Sequence, residues 1–558
     1  MFIRKMICYL ILMKRLNKLP FILLKERAPI VDQLIDLVKE RDDYILELER
    51  EIKRLKKLPQ RPKLSPSKLK AGMKGLSAEP KRAGSAKVKK TMDLVITDTQ
   101  VIKLSEVPEG ATFKGYRNYH VQDISLKLVN RLFRCERYRT KQGTYLQAAL
   151  PEAYRNAHFG PTLRTYIHYQ YHHQGVTQPL LLKQLHEWQI QISKGQLNRL
   201  INDKNQTFHA EKQKVFETGM ALSAYLQTDD TGARHEGRNG YCTYIGNELF
   251  AYFKSTPSKS RLNFIECLQG QTLGYRLDSK AFDYLQAYSQ GVAFKLLALF
   301  NGITTLSDRY FADREALVVY LKQLGIENVK DLQFCSEAAA FSYLKSMTLN
   351  NDRLLLSDEA GQFRLPNVGH ALCWVHVERK LKQLIPITRD EAQKVTEKLT
   401  EYWTLYQDLS AYKLAPSSIR KMDIQCQFAV FCQPVKDYLK LNEVLARIKR
   451  WQQRLLLALD YPFLPLHNNT AESDIREYVR RRKINGTTRH ALGRAARDTF
   501  ASLKKTCYKL GINFWKYVEA LIFKHPLTPS ITDAMIIFAN RNHDTLRFAL
   551  TGAPPIIE

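Results

Sequence analysis

Apolar positions along this chain repeat at two periods. Near the N-terminus, Val31, Leu34, Val38, Arg41, Ile45, Leu48, Ile52 and Leu55 alternate three and four residues apart. This is a heptad seam with β-branched residues at the a positions and, apart from Arg41, Leu at the d positions, a division that favours a parallel two-stranded coiled coil. Pro29 opens the predicted helix and Pro59 closes it. An amphipathic helix lying on the body of the protein is the alternative reading. Further on, the runs Ala224, Tyr225, Leu226 and Leu354, Leu355, Leu356 read as buried strands, each ending in a carboxylate: Asp229 in AYLQTDDTGARH and Asp358 in RLLLSDEAGQF. From His376 to Leu464 the spacing is helical almost throughout, with Trp403, Tyr406, Leu409 and later Leu445, Ile448 and Leu455 as buried faces. Strands and helices in this mixture predict an α/β protein.

A third acid has a different local setting. Glu472, in LPLHNNTAESDIREYVRRRK, falls in the first turn of a predicted helix whose N-cap is Asn469 or Thr470. Each acid alone has an ordinary explanation: a strand-end Asp forms a turn, and a first-turn Glu complements the helix dipole. Carboxylates on two strand ends and one helix can also converge on a pair of Mg²⁺ or Mn²⁺ ions, an arrangement suited to phosphodiester chemistry. Hard oxygen donors favour those ions over zinc.

Charge changes the picture next. The formal net charge is +31, which implies long-range attraction to phosphate and salt-sensitive binding. Between Lys53 and Lys90, fourteen basic residues are opposed by Glu79 alone, and Pro59, Pro62, Pro66 and Pro80 interrupt the stretch. This reads as an unfolded basic linker able to lie along a DNA backbone. A second cluster, Arg476, Arg480, Arg481, Arg482 and Lys483, follows Glu472. Arg476 is one helical turn after that acid and on its face, so the cluster reads as phosphate contacts near a scissile bond, against a plain solvated helix face. LLLKQLHEW and SKGQLNRLI form a weak helix-turn-helix pattern capped by Ser193, with Lys194, Gln196, Asn198 and Arg199 as candidates for a major-groove face.

The nine cysteines include no CxxC pair, which fits a reducing cytoplasm and gives neither a disulfide framework nor a zinc site. Cys373 and His376 in CWVH have half of a metal-site spacing. Core packing is the preferred reading for Cys373 and Trp374, with a supporting role in the active site kept open for His376. The apolar run Ile7 to Met13 is too short to span a membrane, and no small-residue cleavage site marks a secretory signal.

Five blocks carry a family resemblance: TDDTGARHEGRNGYCTYIGN, STPSKSRLNF, LLSDEAGQF, HALCWVHVERKL and LPLHNNTAESDIREYVRRRKINGTTRHALGRAARDTF. In this order they resemble the transposases of the insertion-sequence-66 family, from the zipper near Val31 to about Leu521. The resemblance implies a ribonuclease-H-like DDE catalytic core with a helical insertion domain, preceded by an N-terminal coiled coil and a small DNA-binding region. It makes Asp229, Asp358 and Glu472 the catalytic, metal-binding acids, with Asp230 the less favoured choice at the first position. It also implies two Mg²⁺ or Mn²⁺ ions and double-stranded DNA, both transposon ends and target, as the partner.

The zipper adds a homodimer, and the expected location is cytoplasmic and nucleoid-associated. The expected organisation is an N-terminal extension (1–27), coiled-coil helix (28–58), basic linker (59–92), small β-containing module (93–150), helix-turn-helix-like region (151–210), first part of the core (211–375), helical insertion (376–465), last part of the core with the Glu helix (466–522) and a C-terminal tail (523–558). The stretch from Gln269 to Asn351 has helical spacing but suggests no function. Two other readings stay open: a catalytically inactive DNA-binding or regulatory relic, and a ribonuclease-H-like nuclease without strand transfer.

Overall fold

A computed structural model describes residues 157–288, 309–347 and 353–525, most of 96–155, positions 527 and 529–542, and scattered positions between Arg41 and Leu55. The 1–27 extension, the 59–92 linker and most of the heptad seam lie outside the described residues. Those of the seam that are described, Arg41, Leu48, Ile52 and Leu55, are helical.

Among the described residues of the 93–150 stretch, regular structure is confined to a hairpin of β1 (Arg137–Arg139) and β2 (Tyr145–Gln147), exposed on both strands. Helix α1 (Pro161–His168) runs into a π-helical turn, Tyr169–Gln174, closed by Gly175 at φ 84°. Helices α2 (Gln178–Glu187) and α3 (Lys194–Asn202) pack with α1 around Ile167, Leu181, Leu185, Leu197 and Ile201, a small core of their own. Helix α4 (Gln206–Leu222) then leads into the main sheet.

Strand β3 (Tyr225–His235) turns through Glu236 and Gly237, both at positive φ, into β4 (Arg238–Gly246), followed by β5 (Ala251–Thr256). A two-residue loop of this conformation matches the twist of a hairpin. Next come α5 (Arg261–Gln269), β6 (Tyr275–Leu277), α6 (Ser279–Tyr288), β7 (Arg309–Phe311), α7 (Arg314–Gln323) and α8 (Val329–Ser346). Strands β6 and β7 pair with each other outside the main sheet. The main sheet is completed by β8 (Leu354–Ser357) and β9 (His370–Leu372), giving the order β5-β4-β3-β8-β9. Pairing is antiparallel among β3, β4 and β5 and parallel from β3 to β8 to β9.

This sheet corrects one expectation. Asp229 lies in the middle of β3, not at its end, because β4 pairs with β3 as far as His235 opposite Arg238. The parallel partner β8 stops earlier, at the rung Gln227–Leu356. The acid therefore marks where β3 loses its parallel neighbour.

Helices cover both faces of the sheet. Besides α4, α5 and α8 they include α9 (Trp374–Lys382), α10 (Arg389–Leu414), α11 (Ser418–Phe431), α12 (Leu439–Arg450), α13 (Asn469–Asn485), α14 (Ala491–Lys509), α15 (Phe514–Phe523) and α16 (Ile531–Arg541). Because successive strand residues point to opposite faces, Leu226 and Leu355 enter a core shared with α4, α5, α8 and α14–α16. Tyr225, Leu354 and Leu356 enter the core built with α9–α12. Trp374 anchors that second core: it is 1% exposed, its indole donates to the Leu455 carbonyl at 3.0 Å, and its own carbonyl accepts from Tyr402 Oη at 2.9 Å. Cys373 is buried beside it.

Candidate active site

Asp229 and Asp358 each stand two positions beyond the last parallel rung, Gln227 opposite Leu356. The register thus brings the two acids to the same end of the parallel pair, near enough for Asp358 to act on Asp229. Asp358 is held by the Ala360 N–H, which donates to its Oδ1 at 3.0 Å. Helix α13 is docked onto β3 at its first turn: Asn468 Nδ2 donates to the Thr228 carbonyl at 2.8 Å, and the Ala471 N–H reaches Gln227 Oε1 at 3.3 Å. These bonds bring Glu472 to the same end of the sheet. The N-cap is Asn468, not Asn469 or Thr470, because Glu472 N–H already bonds the Asn468 carbonyl at 3.0 Å. Asn468 does not cap with its side chain: its Nδ2 is directed to β3, and its Oδ1 is buried without a hydrogen-bond partner.

Two of the four acids here carry cationic partners. Glu472 is held in a fork by Arg379 of α9, Nη1 to Oε1 and Nη2 to Oε2 both at 3.1 Å, and Arg476 Nη2 reaches Oε2 at 3.4 Å. Asp230, whose side chain is only 5% exposed, pairs with Lys259, and Gln362 Nε2 donates to its Oδ2 at 2.6 Å. Among the described residues neither Asp229 nor Asp358 has an ion-pair partner. Asp229 accepts only the Asp230 N–H, at 2.7 Å.

The electrostatics follow from this imbalance. Burial pushes the Asp229 carboxyl from its ordinary 3.8 up to about 7; Asp358, Asp230 and Glu472 add to the rise, while the Asp230 N–H opposes it. Burial also raises Asp358, against the Ala360 N–H and His376. His376 is held below its usual range by burial and then by Arg379, with Asp358 and Glu472 pulling the other way. Its Nδ1 is buried without a hydrogen-bond partner. Surplus negative charge on hard oxygen donors fits a divalent cation, with Asp229 and Asp358 as the free donors. Among the described residues no group of three or more His, Cys, Asp or Glu side chains is gathered closely enough to hold a metal. Both Glu472 oxygens are instead engaged by the Arg379 fork.

The basic residues singled out from the sequence divide by helix phase. Arg476 shares the Glu472 face, and Arg480 and Lys483 are exposed further along α13. Arg481 departs from the expectation of a contact beside the scissile bond. It lies about two and a half turns after Glu472 and so on the opposite side, with its guanidinium over the Tyr171 ring at 4.4 Å. Arg482 leans towards β3 at Gly232.

On α3, Gln196 and Asn198 are engaged within their own helix. Ser193 and Gln196 form a reciprocal capping box, and Asn198 Oδ1 accepts from Asn202 Nδ2 at 2.8 Å. Lys194 and Arg199 are exposed. The sequence reading missed Arg379, Lys259 and Gln362. Arg379 and Lys259 lie inside the blocks HALCWVHVERKL and STPSKSRLNF, and Gln362 inside RLLLSDEAGQF, which is the signal that points to them.

These features define an α/β protein with a buried carboxylate cluster where a parallel strand pair ends and a helix N-terminus abuts it. The sequence profile of the Transposase IS66 family matches residues 355–496, a span that holds Asp358, Arg379 and Glu472. The uncharacterized protein y4jO of Sinorhizobium fredii (strain NBRC 101917 / NGR234) is 37% identical over 306 residues, 54% of this chain and 93% of that protein. The chain belongs to the IS66 transposase family. Among the described residues no helix is long and apolar enough to cross a membrane.

Proposed function

We propose that this chain is a DDE transposase that hydrolyses a phosphodiester at the end of a mobile element and joins the freed 3′-hydroxyl to target DNA. The observation that carries the reading is the unpaired couple Asp229 and Asp358, with Glu472 near enough to press on Asp229. A mixed five-stranded sheet with two acids on adjacent strands and a third on a docked helix supports a ribonuclease-H-like core. Asp229 and Asp358 would hold Mg²⁺ or Mn²⁺ directly, and Glu472 would join them by exchanging Arg379 for the ion. Bound there, the ions would activate the attacking hydroxyl and steady the leaving oxygen.

The remaining roles belong to side chains of the chain itself. Asp230 stays paired with Lys259 and Gln362 and fixes the conformation of β3 beside Asp229. Arg379, released from Glu472, and Arg476 are placed to neutralise the transferring phosphate. Arg480, Arg482 and Lys483 extend a basic path along α13, and Lys194 and Arg199 offer a second DNA contact. Leu48 and Leu55 are 44% and 68% exposed on the described part of the N-terminal helix, which supports its pairing with a second copy.

The test uses DNA carrying the element's ends. Asp229→Asn, Asp358→Asn and Glu472→Gln should each abolish cleavage dependent on Mg²⁺ or Mn²⁺ while still shifting that DNA in a gel, and Asp230→Asn should do less. Hydrolysis without joined products would leave a nuclease. Retained cleavage in Glu472→Gln would overturn the assignment, because it removes the helix-borne acid from the site.

A further inference from the structure

On the side of α13 away from Glu472 lies a cavity of about 240 Å³, walled by α13, α14 and the π-helical turn Tyr169–Gln174. Five cationic side chains line it, Arg480, Arg481, Arg497, Lys504 and Lys505, against two carboxylates, Asp474 and Glu477. Both carboxylates are already paired. Lys505 reaches Glu477 at 2.6 Å and Asp474 at 3.5 Å, Lys509 reaches Asp474 at 2.8 Å, and Lys504 pairs with Glu477. The three arginines have no carboxylate partner among the described residues. Arg481 is the most confined: it lies over Tyr171 and against Gly175, and its Nη1 is buried without a hydrogen-bond partner. Arg497 gives one N–H to the Gly486 carbonyl at 3.2 Å.

A buried guanidinium without a counter-charge is costly. Burial lowers Arg481 to about 10, with Tyr171 opposing the shift and Arg497 adding to it. The floor is apolar, formed by Phe500 with the His172 ring stacked on it at 3.7 Å. A π-helical turn is rare in itself and is found frequently at functional sites.

We propose that this cavity binds a phosphate oxyanion, gripped by Arg481 and Arg497. The cavity is smaller than the usual range for drug-sized ligands, about 300–1,000 Å³, so a single phosphate group suits it better than a whole nucleotide. The same chemistry has two possible sources, a backbone phosphate of bound DNA or free inorganic phosphate. Either occupant would tie the π-helical turn, which continues α1 of the α1–α3 unit, to the helix that carries Glu472. The small-anion arm stands apart from the transposase reading, and only the DNA arm rests on it.

The full-length protein is titrated with inorganic phosphate and, separately, with sodium chloride at matched ionic strength, following the thermal midpoint. Phosphate should raise the midpoint of the wild type beyond the chloride control. Arg481→Gln and Arg497→Gln should weaken that response about tenfold or more, while Asp229→Asn keeps it. A short duplex then identifies the source. If a DNA phosphate fills the cavity, Arg481→Gln reduces the slope of log K against log salt by about 1, and inorganic phosphate competes with the duplex. An unchanged slope assigns the cavity to the free anion. The proposal is overturned if phosphate does no more than chloride, or if both arginine variants, folded by circular dichroism, keep the full phosphate response.

Discussion

Replacing Asp229 by Asn should make the metal-free protein more stable, with the sign and pH window fixed by the buried charge. The Asp229 carboxyl rises from 3.8 to about 7 on folding, chiefly through burial. A carboxyl that is harder to ionise in the folded state binds its proton more tightly there. Its ionised form therefore costs stability above pH 7, and the cost fades as pH falls from 7 towards 4, where the unfolded chain also takes up the proton. At 1.36 kcal/mol per pH unit the ceiling is about 4 kcal/mol. A part-exposed site is better screened than that ceiling assumes, so about 1–3 kcal/mol is the working figure. Asn cannot ionise, and its amide oxygen can still accept the Asp230 N–H. In EDTA, urea unfolding should place Asp229→Asn above wild type by that amount at pH 8, with the gap shrinking steadily to near zero at pH 4. Mg²⁺ should then stabilise the wild type and leave the variant almost unmoved. Asp230→Asn is the control, and it should lose stability because Lys259 is left without its partner. A variant no more stable than wild type at pH 8, or a gap that ignores pH, would refute the argument that Asp229 is a strained, uncompensated charge.

Arg379→Ala frees Glu472 from its fork. Because the Arg379 side chain is 37% exposed, the pair is worth only about 1 kcal/mol, so Mn²⁺ binding measured by calorimetry should tighten about fivefold; unchanged or weaker binding would rule out exchange between arginine and metal. In the heptad seam, Ile45→Lys combined with Ile52→Lys should weaken self-association in light scattering, and a wild-type chain that is monomeric at micromolar concentration would remove the zipper.

What the sequence made legible follows the range of each signal. Apolar runs identified β3 and β8, since Tyr225, Leu354 and Leu356 are buried whatever the exact strand end. The length of β3 was not legible, because a polar TDDTGARH stretch stays in strand only through its pairing with β4, closed by the Glu236–Gly237 turn. Partners distant in sequence were also hidden. Gln362 meets Asp230 across 132 positions and Arg379 meets Glu472 across 93, and no local period records such contacts. Arg481 is a different case. Its phase on α13 was readable at 3.6 residues per turn, but a run of four consecutive basic residues reads as one patch until the helix separates their directions. The Ser193–Gln196 capping box was likewise a local pattern, and it accounts for Gln196 before any DNA contact is invoked.

The pairing of two adjacent aspartates on one strand with opposite fates explains how the fold tolerates its candidate active site. Neighbouring strand residues face opposite ways, so one direction can be neutralised while the other is left charged. On the neutralised side Asp230 meets Lys259 and Gln362, which tie β3 to the segments on either side of it in space. On the other side Asp229 feels the charge of Asp358 and has no ion-pair partner of its own among the described residues, and Glu472, which also presses on it, is held by Arg379. Such a cluster would drive the strand ends apart unless they were held elsewhere. They are held by residues just before each acid: Leu226 and Leu355 in one core, Tyr225 and Leu356 in the other, and Thr228 through the Asn468 amide. The repulsion is thus confined to side chains at the rim of a sheet held on both faces, and a divalent cation bound as proposed would relieve it.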